Sequence, residues 1–352
     1  MVDQNMLAAI LPTVGPPEVL ELRTVQKPRP TNKEVLIRVR ACGLNHGLDG
    51  RVRKDMAGRR IQFPHILGTE VAGIVEEIGP DVQAVKPGQQ VVVAPWLHCG
   101  HCGMCLRGQQ NLCSSLRMVG IDTPGGYAEY VAVPEGAVVI LPPNLANKFS
   151  LAACLPISYV TAWHMIKAKA NLAPSETLLI LGAAGAVGIA AVQLGRLLGA
   201  RVVAAASDPL KRDFLRKIGA DEVVDYRSPD FAASLMELTD GDGVDVLVNH
   251  IGQQGWQNHL DLLGKGGRMT VCGATTGTAV SMDVRALWRK NISIHFSNSG
   301  NRSDLEAVIS MADRDLITPI VTRSFQLSEI VDAHHALESK AGFGKLVLEH
   351  AH

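Results

Sequence analysis

The sequence predicts an α/β protein made of a small β-barrel and a doubly wound parallel sheet. Three observations carry that expectation. The chain has 352 residues, beyond the size at which a single core keeps growing, so two domains are the natural division. Its first half is strand-rich and punctuated by Gly and Pro, whereas after about residue 155 apolar strands alternate with helical stretches. Finally, GAAGAVG (182–188) falls where an apolar strand would hand over to a helix.

In VLIRVR, Val35, Ile37 and Val39 share one face at the period-two spacing of a half-buried strand. VAGIVEEIG, QQVVVAP and GGYAEYVAV read as further short strands separated by turn residues, which suits a barrel. TLLILGAAGAVGIAAVQLGRLLGARVVAAA then reads as strand, glycine turn, helix and strand, with Val187, Ala191, Leu194 and Leu198 recurring along the helix. EVVDY, VDVLVNHIG, GRMTVCG and NISIHF continue as strands, with helical segments such as LKRDFLRKIG between them; this alternation predicts the parallel sheet. The C-terminal stretch is mixed: SDLEAVISMADRDL is helical and FGKLVLEH extended.

Lys plus Arg balances Asp plus Glu at 34 each, which leaves no electrostatic footprint for nucleic acid or an anionic membrane. No apolar run approaches the roughly 20 residues of a membrane span, and MVDQNMLAAI lacks a basic region followed by an apolar core. A soluble cytoplasmic protein acting on a small molecule is expected. In a reducing compartment, clustered cysteines read as metal ligands.

The turn residues Gly182, Ala184, Gly185, Ala186, Val187 and Gly188 would let a pyrophosphate approach backbone N–H groups at a helix N-terminus, so a nicotinamide dinucleotide is expected. Which one depends on the end of the second strand. There Ala206 and Ser207 are followed by Lys211 and Arg212, which suits the 2′-phosphate of NADP(H). Asp208 would restore NAD if its carboxylate turned inward. Lys211 and Arg212 also fit the solvated face of a helix.

CGHCGMCLRGQQNLC places Cys99, Cys102, Cys105 and Cys113 within one loop. Four thiolates at this spacing surround one tetrahedral zinc with no open position, so the ion would fold the loop rather than bind substrate. His98 and His101 are surplus to that shell.

Together, the barrel-like front half, CGHCGMCLRGQQNLC, GGYAEYVAVP, GAAGAVG and the closing FGKLVL resemble the medium-chain dehydrogenase/reductase superfamily, which contains zinc alcohol dehydrogenases and quinone oxidoreductases. The resemblance covers essentially the whole chain. It implies a GroES-like barrel at 1–156, a Rossmann domain at 157–301 and a return at 302–352 that completes the barrel, with the active site in the cleft. It also implies a homodimer or homotetramer through the Rossmann sheet edge. Further cofactor positions that it implies are Thr161, Gly252, Gly273, Ala274, Thr275 and Lys345; Gly252 and Gly273 also fit because doubly wound sheets bind ligands at the C-terminal ends of their strands.

The catalytic zinc of the alcohol dehydrogenases has no matching ligands here: Asn45, Thr69 and Ile157 stand at the three positions. An amide, a hydroxyl and a hydrocarbon do not hold zinc. Spare candidates nearby are Cys42, His46, Asp49, His65, Glu70 and Cys154, and a rearranged site of Cys42, His46 and Glu70 stays open. So do burial of Cys42 and Cys154 as small hydrophobes and an ion pair of Glu70 inside the barrel. Asn45 and Thr69 are neutral donors suited to the enolate oxygen formed when hydride adds to an activated C=C. His46 is the expected proton source, with the cofactor phosphate as its competing partner. Tyr159 is either a donor or a packing residue.

The basic run RVRKDMAGRR (51–60) suits either an anionic substrate such as a CoA thioester or a solvated loop. An extra residue at Gly47 blurs the alignment of Asp49, which is given no catalytic role. Three functions follow: an NADPH-dependent reductase of activated double bonds or quinones, a zinc alcohol dehydrogenase with rearranged ligands, and a non-enzymatic NADPH-binding protein.

Overall fold

The computed structural model describes residues 4–55, 61–339 and 342–350. The chain divides into two compact units, Met1–Ile157 with Asn301–His352, and Ser158–Gly300.

In the first unit a seven-stranded sheet runs in the order Val321–Gln326, Lys345–Glu349, Glu34–Gly43, Glu70–Ile78, Gln90–Val93 and Val138–Ile140, with Tyr130–Pro134 also pairing on Glu34–Gly43. Thus the C-terminal strand joins the N-terminal strands, with Val347 opposite Gly43 and Leu348 opposite Cys42. Val35, Ile37 and Val39 are buried as their alternation predicts, but so is Leu36, because the strand is covered on both faces. One register sets up the site. Cys42 pairs with Val71 and Gly43 with Glu70, so the chain leaving one strand toward Asn45 lies beside the chain entering the next through Thr69.

The second unit holds a six-stranded sheet in the order Glu222–Val224, Arg201–Ala205, Thr177–Leu181, Val244–Asn249, Leu263–Val271 and Ser293–Phe296. Every neighbouring pair is parallel. In chain order this is 3-2-1-4-5-6, the dinucleotide-binding arrangement whose switch point lies between the first and fourth strands. Leu179, Val203, Leu247 and Met269 belong to its core. On the helix Ala186–Leu197 the buried stripe centres on Gly188, Ile189, Ala191, Val192 and Gly195, whereas Val187 and Leu198 of the expected stripe are only half-buried. Small residues form the contact because the helix lies close against the sheet.

One helix, Phe149–Lys169, is by length and composition apolar enough to cross a bilayer. Pro156, His164 and Lys167 interrupt its apolar run, which hid its length. Its most apolar window is 78% buried inside the protein, so these side chains belong to the core.

Candidate active site

Asn45 and Thr69 lie at the ends of the two adjacent strands just described, and two buried carboxylates fix their surroundings. Asp49 accepts the backbone N–H of Asn45 on Oδ2 at 2.8 Å and that of Gly68 on Oδ1 at 3.3 Å. Glu70 accepts Asn45 Nδ2 at 3.3 Å and the backbone N–H of Ile157 at 3.0 Å. Lys345 Nζ forms an ion pair with the same Glu70 oxygen and donates to the Leu44 carbonyl at 2.9 Å. Burial is the largest influence and opposes the charge on Lys345, but Glu70, Cys154 and Asp49 together outweigh it and hold the ammonium above its ordinary range. The Thr69 hydroxyl is buried and has no partner among the described residues.

Gly68 explains why this turn fits. Its φ is +106°, and a β-carbon there would lie 2.7 Å from Tyr127, so no other residue occupies the position without moving the backbone at Gly126 and Tyr127.

Several expectations change at this point. Lys345, implied as a cofactor contact, pairs with Glu70 and bonds the Leu44 carbonyl within the first unit. Glu70 is the barrel ion pair, and its carboxylate accepts from Lys345, Asn45 and Ile157. Cys42 and Cys154 are buried; burial pushes the Cys42 thiol far up and that of Cys154 up to about 12, so both act as small apolar groups. Among the described residues, the His, Cys, Asp and Glu side chains whose ligand atoms lie within 4.8 Å of one another as a group are the four lobe cysteines, not Cys42, His46 and Glu70. His46 is half-buried at the start of a single turn, His46–Gly50. Nε2 of His65 lies 3.2 Å from the Gly120 carbonyl.

Arg53, in the basic run, is neither solvated nor exposed to a ligand. It is buried, paired with Glu338 and bonded to the Gly15 carbonyl, and its Nε donates to His334 Nδ1 at 3.2 Å. Residues 56–60 of that run lie outside the described residues. Tyr159 is buried and donates its hydroxyl to Gln193 at 3.2 Å, so it packs rather than supplies a proton.

In the second unit, Gly182 turns with φ +62° at the end of Thr177–Leu181, and Gly185 precedes the helix Ala186–Leu197, leaving the first helical N–H groups for an anion. A β-carbon on Gly188 would fall 2.5 Å from the Ala183 carbonyl, so glycine lets the helix start close against the turn that precedes it. Asp208 accepts the Lys211 backbone N–H at 3.0 Å and caps the helix Pro209–Lys217, so its carboxylate faces its own helix. Arg212 is not on a solvated face. It donates to Asp225 at 2.7 Å and to the Ser207 carbonyl at 3.0 Å, lying against the strand end. At the fourth and fifth strand ends, Asn249 accepts the N–H groups of Ile251 and Gly252 at 2.9 and 3.2 Å, and Thr275 donates its hydroxyl to the Ile251 carbonyl at 2.9 Å. Gly252, Gly273, Ala274 and Thr275 thus border two loops tied together, and Thr161 sits on the short helix Val160–Trp163. Asn249 escaped sequence reading because an Asn at a strand end reads as an ordinary turn residue. Asp49 escaped because the extra Gly47 obscured its alignment.

The sulfurs of Cys99, Cys102, Cys105 and Cys113 lie within 4.8 Å of one another. The closest pairs are 3.5, 3.6 and 3.9 Å. A tetrahedron with zinc–sulfur bonds of about 2.3 Å has an edge of about 3.8 Å, so the set fits such an ion. Backbone N–H groups of Cys105 and Ser114 lower the Cys102 thiol to about 5, and those of Cys99 and Ser115 lower Cys113, which prepares them as thiolates.

Known proteins match this architecture. The family described as alcohol dehydrogenase GroES-like domain matches residues 31–143, and the zinc-binding dehydrogenase family matches 186–314. An NAD-dependent alcohol dehydrogenase of Sulfurisphaera tokodaii is 30% identical over 97% of this chain and 99% of its own. The human quinone oxidoreductase is 27% identical over 95% and 94%. A crystal structure of an NAD-dependent alcohol dehydrogenase superposes with a TM-score of 0.93 at 35% identity, over 98% of this chain and 99% of that one. The chain belongs to the medium-chain dehydrogenase/reductase superfamily. It is an oxidoreductase with a GroES-like domain and a Rossmann-type sheet, a nicotinamide cofactor and a small-molecule substrate.

Proposed function

We propose that the chain reduces an activated C=C (an enone or enoyl thioester) or a quinone with NADPH, without a catalytic zinc. The observation that carries this reading is the filling of the zinc-ligand positions by Asn45, Thr69 and Ile157 beside a carboxylate, Glu70, already used by three partners. When bound, the nicotinamide supplies a hydride. Asn45 Nδ2 spends one hydrogen on Glu70 and has a second for a substrate oxygen, and the unpartnered Thr69 hydroxyl would supply another bond. Two fixed neutral donors stabilise the charge that develops on an enolate oxygen. His46 provides the proton that completes the α-carbon. Gly182 to Gly188 hold the pyrophosphate, Ser207, Lys211 and Arg212 receive the 2′-phosphate, and Cys99, Cys102, Cys105 and Cys113 hold one structural Zn²⁺ that shapes their loop.

A second reading, NAD-linked alcohol oxidation, is favoured by the names of the Sulfurisphaera relative and the superposed structure. Metal content and a substrate panel separate the two. One zinc per chain, with NADPH consumed by enones, enoyl thioesters or quinones, supports the reductase; two zincs with NAD⁺-dependent alcohol oxidation support the dehydrogenase. NADPH binding with no turnover of either panel leaves a non-enzymatic binding protein. The edge strand Ser293–Phe296, with exposed Phe296, Trp288 and Val284 beside it, suits assembly into a homodimer or homotetramer, which light scattering tests.

A further inference from the structure

We propose that Asp49 is a positioning residue for the reaction, its carboxylate clamping the turn that carries Asn45 to the turn that carries Thr69. The inference rests on the functional reading above for what the clamp serves, but the clamp itself stands on geometry. One oxygen accepts the N–H of Asn45 and the other that of Gly68, the residue before Thr69. Asp49 is completely buried, so no water competes for either bond. Glu70 grips the same two segments from the other side, being next to Thr69 in the chain and bonded to the Asn45 amide. Asn45 is therefore fixed at both its backbone and its side chain, and the Thr69 turn at the residues flanking it. Donors held in advance need no reorganisation as charge develops, which is how a hydrogen-bonding site competes with a metal.

The clamp needs the ionised form, because a carboxylic acid turns one acceptor into an O–H. Burial pushes the Asp49 carboxyl up to about 7, opposed by Lys345 and assisted by Glu70; Cys42 and Tyr127 are the other titratable groups facing it. Both bonds should therefore tighten together as pH rises through neutrality.

The test uses the whole protein. Hydrogen exchange of segments 43–50 and 64–72 is followed by mass spectrometry from pH 6 to pH 8, corrected for intrinsic rates. In the wild type, protection of both segments should rise together; protection of one alone, or of neither, overturns the clamp. Asp49→Asn should lower protection in both segments and reduce kcat about tenfold or more, the effect of one lost charged hydrogen bond. KM for NADPH should stay unchanged. Intact kcat in a variant that has lost both protections would overturn the positioning role. A wild type inactive toward every substrate class overturns the functional reading, while the exchange data still decide the clamp.

Discussion

The carboxylate of Asp208 accepts the backbone N–H of Lys211 at 3.0 Å, which turns it toward the helix that it caps. That bond occupies one carboxylate oxygen and orients the group along its own helix. Beside it, the Arg212 guanidinium donates to the Ser207 carbonyl at 3.0 Å.

On the proposed assignment of Ser207, Lys211 and Arg212 to the 2′-phosphate, NADPH should be preferred to NADH by about tenfold or more in kcat/KM, or about 1.4 kcal/mol. Ser207→Asp should reverse the preference by placing a carboxylate beside the ribose. Equal kcat/KM for the two cofactors in steady-state assays contradicts the assignment.

Removing the lobe metal should cost stability rather than chemistry. Cys105→Ser should lose zinc by elemental analysis and lower Tm by on the order of 5–10 °C, since about 1 kcal/mol moves a domain of this size by about 2–4 °C. Turnover per folded molecule at 25 °C should stay within about twofold. A collapse of kcat at unchanged Tm would place the ion in the reaction.

Lys345→Met should leave Glu70 as an uncompensated buried charge and cost about 3–5 kcal/mol in denaturant unfolding. The double variant with Glu70→Leu should recover part of that loss, because the two sites share one interaction. Were Lys345 a cofactor contact after all, the single variant would raise KM for NADPH at nearly unchanged stability.

Acid should weaken the fold through His334. Burial and the neighbouring Arg53 push its ring down to about 3, and Arg53 Nε donates to its Nδ1, so the folded ring is neutral. The unfolded ring takes a proton near pH 6.5, so between about 6.5 and 3 the unfolded chain binds more protons and stability falls as pH drops. Asp49 works oppositely: its raised carboxyl contributes stability below about pH 4 that is lost as pH climbs through about 7, partly offsetting the slope. The difference between the wild type and His334→Asn in urea midpoints across pH 4 to 7 isolates the histidine; a flat difference would contradict it.

What could be read from sequence followed the range of the interactions. Strand alternation, the glycine turn and the four cysteines are local patterns, and each is present in the structure. The pairings that define the site are not local. Lys345 meets Glu70 across 275 positions of chain and Arg53 meets His334 across 281, and neither pairing leaves a periodic trace. The basic run misled for this reason: Arg53 looks like its charged neighbours until the helix that receives it is known. Asp49 shows a subtler limit, since one inserted residue blurs an alignment while the side chain still finds its two amides.

Gly188 has a consequence beyond its own turn. With Ala183 only 2.5 Å from where a β-carbon would stand, the first turn of the helix rests directly on the glycine turn before it. The depth at which the helix mouth sits relative to the sheet is therefore dictated by one missing carbon atom. Even an alanine there would lift the helix away and displace the backbone N–H groups at its start, the proposed anchor of the pyrophosphate.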